Sequence, residues 1–124
     1  MDKKKVLIID DEKLLVKTTA LALKYRGFET KGASDGPEGL STAGEFNPDV
    51  ILLDIMMPGM DGWEVLSRLR AEEKMRTIPV IIFTAKEYSN GRAMARERGA
   101  DDFVAKPFET DDLAELIKSC INRN

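Results

Sequence analysis

At 124 residues the chain has the length of one domain, enough to bury roughly two-thirds of the surface it exposes when unfolded. With 43% hydrophobic residues, 33% charged residues and a net charge of −3, it has an ordinary globular composition and no basic excess for nucleic acid or a membrane surface. No apolar run approaches the ~20 residues of a membrane span, and the complete lack of histidine removes imidazole acid–base chemistry, histidine metal ligands and any Ser–His or Cys–His pair.

The single cysteine, Cys120, excludes an internal disulfide and fits a reducing compartment, so a cytoplasmic location is expected. No signal peptide is visible, because the first apolar run is short and is followed by acids. Function has to be built from carboxylates, hydroxyls, lysine and backbone.

In chain order, Lys3-Lys4-Lys5 is a solvated lead-in to a first strand at Val6–Ile9. Three adjacent acids follow, Asp10, Asp11 and Glu12, and then a helix over 12–26 that places Leu14, Leu15, Thr18, Leu21 and Tyr25 on one face, with Gly27 as its stop. Phe28–Lys31 alternates like a half-exposed edge strand. A helix over 36–45 starts after the cap Asp35, with Pro37 in its first turn and Glu38 three residues beyond the cap. Val50–Leu53 is a second buried strand, ending at Asp54. In the loop that follows, Pro58-Gly59 signals a turn, Gly62 a second backbone reversal, and the methionines at 56, 57 and 60 partial packing. A helix over 62–72 turns Val65, Leu66 and Leu69 inward. Val80–Phe83 is a third buried strand, ending at Thr84; a helix over 87–98 is interrupted by Ser89-Asn90-Gly91 and ended by Gly99. Phe103–Ala105 is a short strand ending at Lys106. The last helix, 110–122, starts from the cap Thr110 and stripes Leu113, Leu116, Ile117, Cys120 and Ile121 along one side, which makes Cys120 a small core residue.

Strands alternating with helices predict an open, parallel, doubly wound α/β sheet with right-handed crossovers. All the strand ends then lie on one edge, where such sheets bind ligands. Asp10, Asp11, Asp54, Thr84 and Lys106 are thereby expected to meet. Taken singly each has a plain reading: Asp11 as a helix cap, Asp54 as an acid after a strand, Thr84 as a turn residue, Lys106 as a surface lysine. Together they make a chemical set. Three close carboxylates repel, and a divalent cation with Lys106 would balance them; all-oxygen ligands point to a hard ion, Mg²⁺. Asp54 can act as a nucleophile forming an acyl phosphate, Thr84 can donate a hydrogen bond to a phosphoryl oxygen, and Lys106 can pair with the phosphoryl group or with Asp54.

The "DDE" after the first strand, "LLDIMMPGMDG" around Asp54, "TA" at 84–85 and "KPF" at 106–108 resemble the receiver domain of two-component response regulators, over nearly the whole chain. The resemblance implies a flavodoxin-like strand order 2-1-3-4-5. It implies Asp54 as phosphoacceptor, Mg²⁺ held by Asp10, Asp11, Asp54 and the Met56 backbone carbonyl, and Thr84 and Lys106 on the phosphoryl group. It also implies a cis peptide before Pro107 and a donor histidine on a separate kinase or phosphotransfer protein. Thr84 and the strand-five aromatic, here Phe103, would form the switch; the plain reading of Phe103 is packing against the fourth helix. Met56 and Lys86 match positions that tune acyl-phosphate hydrolysis, and the apolar Met56 side chain implies a long-lived phosphorylated form.

The expected output face is the fourth helix, fifth strand and fifth helix. It carries Arg92, Arg96 and Arg98 near Asp101, Asp102, Asp111 and Asp112, read either as a solvated mixture of charge or as a surface for weak symmetric pairing; Leu116 stands where the transcription-factor type often has a basic residue. The 124 residues are expected to form one receiver domain, without an output domain, acting on a partner or excised from a longer protein. An aspartate-based Mg²⁺ phosphatase lacks its second carboxylate, because Met56 stands there, and lacks sequence for a substrate cap. A P-loop nucleotidase fails for want of its glycine-lysine motif. A binding module independent of phosphorylation is the third alternative.

Overall fold

The structure, a computed structural model, describes residues 2–85 and 91–123. Five strands, β1 Lys5–Ile9, β2 Glu29–Ala33, β3 Val50–Leu53, β4 Val80–Ala85 and β5 Asp102–Lys106, alternate with α1 Lys13–Tyr25, α2 Gly36–Phe46, α3 Gly62–Ala71, α4 Gly91–Glu97 and α5 Thr110–Asn122. The strands are parallel in the order β2-β1-β3-β4-β5, with Ile9 beside Leu53 and Leu53 beside Ile82. This is the expected flavodoxin-like topology. Residues 86–90, and with them Lys86 and the start of the predicted fourth helix, lie outside the described residues.

The uninterrupted apolar strands are explained by two cores. Leu7, Ile9, Ile51, Leu53 and Ile82 face α2 and α3, packing with Val65, Leu66 and Leu69. Val6, Ile8, Leu52, Ile81 and Phe83 face the other way, packing with Leu23, Leu113, Ile117 and Cys120. Alternate side chains thus enter opposite layers, and a residue that leaves a strand end emerges at the edge common to both.

Local signals set most boundaries. Asp35 caps α2 by accepting from the Glu38 amide at 2.8 Å, and Asp61 caps α3 by accepting from the Glu64 amide at 3.0 Å. Gly27 and Gly99, at φ 92° and 99°, follow α1 and α4. The peptide before Pro107 is cis.

Four expectations are corrected. The residue preceding α1 is Glu12, without a side-chain cap, so Asp11 does not cap the helix. The residue preceding α5 is Glu109, and Thr110 is already helical. Gly62 does not reverse the chain at positive φ; it is required because a Cβ there would lie 2.4 Å from the Asp54 carbonyl oxygen. The largest correction is the face of α1. Thr19 and Leu23 are its buried residues, whereas Leu14, Leu21 and Tyr25 are 74%, 56% and 83% exposed. The cause is close approach: Val16 Cγ1 lies 2.5 Å from where a Cβ on Gly32 of β2 would stand. The helix therefore turns Val16, Thr19 and Leu23 toward the sheet.

Candidate functional site

The ladder that holds the strands together also places the acids. The Asp10 amide donates to the Ala33 carbonyl and the Asp54 amide to the Ile9 carbonyl, each at 3.0 Å, so both aspartates leave the sheet in register. Oxygens of Asp10, Asp11 and Asp54 fall within 4.8 Å of one another. Asp10 and Asp54 are buried and Asp11 is exposed, which leaves the cluster open on one side.

Lys106 arrives from β5. Its Nζ donates to Asp10 Oδ2 at 2.6 Å, lies 3.3 Å from Glu12 Oε1 and 3.8 Å from Asp54 Oδ2, and stands 4.8 Å from the Phe83 ring centroid. Burial pushes Asp10 up from 3.8 to about 6, against the lowering effect of the Lys106 and Glu12 hydrogen bonds and with the added repulsion of Asp54. Burial is also the largest single influence on Lys106 and acts downward, yet its hydrogen bonds and opposite charges outweigh it and hold the ammonium above its usual value. One ammonium therefore faces a surplus of carboxylate.

Thr84 comes from β4 and is fully buried; its Oγ1 is a buried side-chain oxygen with no hydrogen-bond partner. Such an orphan costs about 1–3 kcal/mol, so it calls for a partner from outside. With Asp54 and Lys106 it lines a cleft of about 620 Å³, rimmed by Leu15, Met56 and Phe108. The Met56 amide donates to Asp54 Oδ1 at 3.3 Å, while its side chain is 61% exposed. Met57 is buried and Met60 packs partly on the core, as expected of filling residues.

All five strand-end residues of the sequence reading thus converge, and the structure adds Glu12, which the sequence placed only in the acidic run. Phe103 is farther away: its ring is buried against α4, where a Cβ on Gly91 would fall 2.3 Å from two ring carbons. The charges of the expected output face are largely spent inside the chain. Asp101 pairs with Arg70 at 3.1 Å, Asp102 with Arg92 at 3.4 Å and Arg123 at 3.5 Å, and Asp111 with Arg26 of α1. Arg98 stacks over Trp63, 5.1 Å from its centroid, while Arg96 and Asp112 are exposed.

No helix among the described residues is long and apolar enough to cross a membrane. Three comparisons give the lineage of this geometry. The family model described as "Response regulator receiver domain" matches residues 6–118. The uncharacterized transcriptional regulatory protein YkoG of Bacillus subtilis (strain 168) is 36% identical over 124 residues, all of this chain and 54% of that protein, so the chain spans about half the length of this curated relative. Among solved structures, the Francisella response regulator 1452 receiver domain is 33% identical with a TM-score of 0.88, covering 98% of each chain. Vibrio cholerae chemotaxis protein CheY4 is 27% identical with a TM-score of 0.88, covering 96% of this chain and 99% of that one. With strand order, acidic cluster and family model in agreement, the chain belongs to the response regulator receiver domain family of two-component signalling.

Proposed function

We propose that this receiver takes a phosphoryl group onto Asp54 from a histidine of a partner kinase or phosphotransfer protein. The observation that carries the reading is the buried, unpartnered Thr84 hydroxyl in the wall of a cleft that also exposes Asp54 and Lys106. A phosphoryl oxygen is the acceptor that hydroxyl lacks.

The acids suit Mg²⁺: all donors are hard oxygens, they lie within one ion's reach, and Lys106 alone does not neutralise them. Asp10, Asp11, Asp54 and the Met56 carbonyl would hold it. When bound, the ion offsets the charge of the incoming phosphate and of the oxygens in transfer. The chain's own groups do the rest. An Asp54 carboxylate oxygen forms the new O–P bond as the donor's N–P bond breaks, and the donor imidazole leaves with the electron pair. Lys106, 3.8 Å from Asp54 Oδ2, pairs with the phosphoryl group, and Thr84 donates its hydroxyl proton in a hydrogen bond to it. The phosphoryl group ends on the protein itself, so the reaction is a signalling step rather than turnover of a substrate.

Movement of Thr84 toward the phosphoryl group would open space behind it for the Phe103 ring and so carry the signal to α4, β5 and α5, by packing alone. Residues 1–124 would act as one cytoplasmic receiver unit, with output through a partner or an attached domain. Incubation with Mg²⁺ and acetyl phosphate, followed by intact mass, tests the chemistry. A single phosphoryl adduct, absent in Asp54→Asn and in EDTA, is expected; an adduct that persists in Asp54→Asn overturns the assignment.

A further inference from the structure

An open sheet has two free edges, and the two edges of this one differ. Along β2 the Glu29 amide donates to the Lys4 carbonyl at 2.9 Å, and the Ala33 carbonyl accepts from the Asp10 amide at 3.0 Å. Glu29, Lys31 and Ala33 therefore spend their backbone groups on β1. Parallel pairing alternates along a strand, which turns the amides and carbonyls of Thr30 and Gly32 outward. Among the described residues no side chain bonds to either pair of groups. Gly32 is exposed, and because it has no side chain that exposure is backbone. On the opposite edge, Arg92 of α4 lies across β5, donating to the Phe103 carbonyl at 3.2 Å and pairing with Asp102 at 3.4 Å. Edge strands are commonly blunted by such a charged side chain; β2 is left open.

The open edge has a shaped and charged bank. α1 passes with Val16 against Gly32, and a groove of about 400 Å³ is lined there by Lys13, Val16, Lys17, Ala20, Thr30 and Gly32. Lys13 and Lys17 are exposed, and neither is ion-paired among the described residues. The acids that also line the groove are already engaged. Asp10 accepts from Lys106 at 2.6 Å, and Glu38 Oε1 accepts from the Ser34 amide at 2.6 Å and the Ser34 hydroxyl at 3.1 Å. Four residues of helix rise about 6 Å, close to the ~6.6 Å between residues on one face of a strand. An extended chain laid along β2 therefore meets Lys13 and Lys17 with every second side chain.

We infer that the free edge of β2 accepts an acidic, extended segment of a partner protein as a sixth strand. The backbone of that segment pairs with Thr30 and Gly32, and its alternate carboxylates pair with Lys13 and Lys17. A second copy is a poor occupant. Two β2 edges related by a two-fold axis pair antiparallel, which sets both α1 helices on one face of the joined sheet with their lysines opposed. A free anion answers the lysines but gives the outward carbonyls no donors at strand spacing. The inference does not depend on the chemistry at Asp54.

The test uses the whole chain and a fluorescein-labelled, amidated octapeptide of alternating Glu and Thr as the probe. Fluorescence anisotropy should show saturable binding with a Kd of about 100 µM or tighter. In the complex, hydrogen exchange at the Thr30 and Gly32 amides should slow about tenfold or more. Only alternate amides of the probe face β2. Of two probes N-methylated at every Glu or at every Thr, one should therefore lose about tenfold or more in affinity and the other keep it. Thr30→Pro, which removes an outward amide and spares the β1 ladder, and the double variant Lys13→Glu with Lys17→Glu should each weaken binding about tenfold or more at an unchanged melting temperature. If Thr30→Pro does not fold, the methylated probes decide, since they leave the protein untouched. Absence of saturation by about 1 mM overturns the inference. So do equal affinities of the two methylated probes, or equal binding of an octapeptide of alternating Lys and Thr. A parent that sediments as a dimer which Thr30→Pro dissolves also overturns it, since a second copy would then own the edge.

Discussion

Replacing Gly62 by alanine should damage both stability and phosphorylation, because the loop after the phosphoacceptor folds back onto this residue. The Gly62 amide donates to the Ile55 carbonyl at 3.1 Å, and the Asp54 amide is tied to Ile9 at 3.0 Å. A Cβ on Gly62 would stand 2.4 Å from the Asp54 carbonyl oxygen, 2.5 Å from Ile55 Cα and 2.9 Å from Ile55 Cγ2. Two of these atoms are backbone of the strand end, so no rotamer change relieves the contact. Restoring ordinary van der Waals distance takes a displacement of about 1 Å in either the strand end or the first turn of α3. Overpacking of this kind costs about 1–3 kcal/mol, and the backbone partners put it near the top of that range. For a domain of this size about 3 kcal/mol lowers the melting temperature by roughly 10 °C. Because the displaced carbonyl is that of Asp54 itself, the rate with acetyl phosphate should fall by about tenfold, the penalty of small misplacement at a reacting centre. Differential scanning fluorimetry and timed intact mass read the two effects. Gly44→Ala is the control of opposite sign: nothing lies within 4 Å of its Cβ position in α2, so the substitution should stabilise by about 0.5–1 kcal/mol. A Gly62→Ala protein that melts and phosphorylates like the parent would refute the close-approach argument.

Asp10 keeps its proton to about pH 6 in the folded chain against an ordinary value of 3.8. Without divalent ions the folded state therefore binds more protons between those values, and stability should fall by up to about 3 kcal/mol as pH rises from about 4 to 6. Urea titrations in EDTA should show this slope in the parent and lose it in Asp10→Asn; parallel pH curves refute it. Met56→Asn, which adds a polar group at the cleft rim, should shorten the life of the phosphorylated protein, read as loss of adduct after desalting; equal decay contradicts the assignment. Arg70 donates to the carbonyls of Gly99, Arg76 and Ile78 and to Asp101, at 2.8–3.1 Å. Arg70→Met should cost about 2–4 kcal/mol by leaving these acceptors unmatched, seen as a lower urea midpoint with an unchanged slope.

The convergence of Asp10, Asp54, Thr84 and Lys106 was legible in the sequence because each follows a buried apolar run, and parallel strands deliver their ends to one edge. The strand order 2-1-3-4-5 did not follow from that rule; it came with the receiver resemblance, and the sheet has it. The face of α1 was not legible, since Leu14, Leu21 and Tyr25 keep helical spacing as well as Val16, Thr19 and Leu23 do. What decides between the two faces is the nearness of β2 at Gly32, a tertiary fact. The fate of Asp101, Asp102 and Asp111 was hidden for a similar reason. Their partners Arg70, Arg92, Arg123 and Arg26 come from four different helices or helix ends, and no local pattern links them. Glu12 had a faint signal, the third acid in a row, but its meeting with Lys106 depends on the reach of a chain 94 residues away.

β1, β3 and β4 each have a strand on both sides, whereas β5 has only one neighbour. Three members of the site are thus mounted on the stiff middle of the sheet, at intervals set by the ~4.8 Å interstrand repeat. The lysine alone hangs from its margin. Amide protons of the middle strands should exchange with deuterium only on global unfolding, while those of β5 exchange through smaller openings. The pocket then behaves as a fixed gauge for the size of a phosphoryl group with one adjustable jaw.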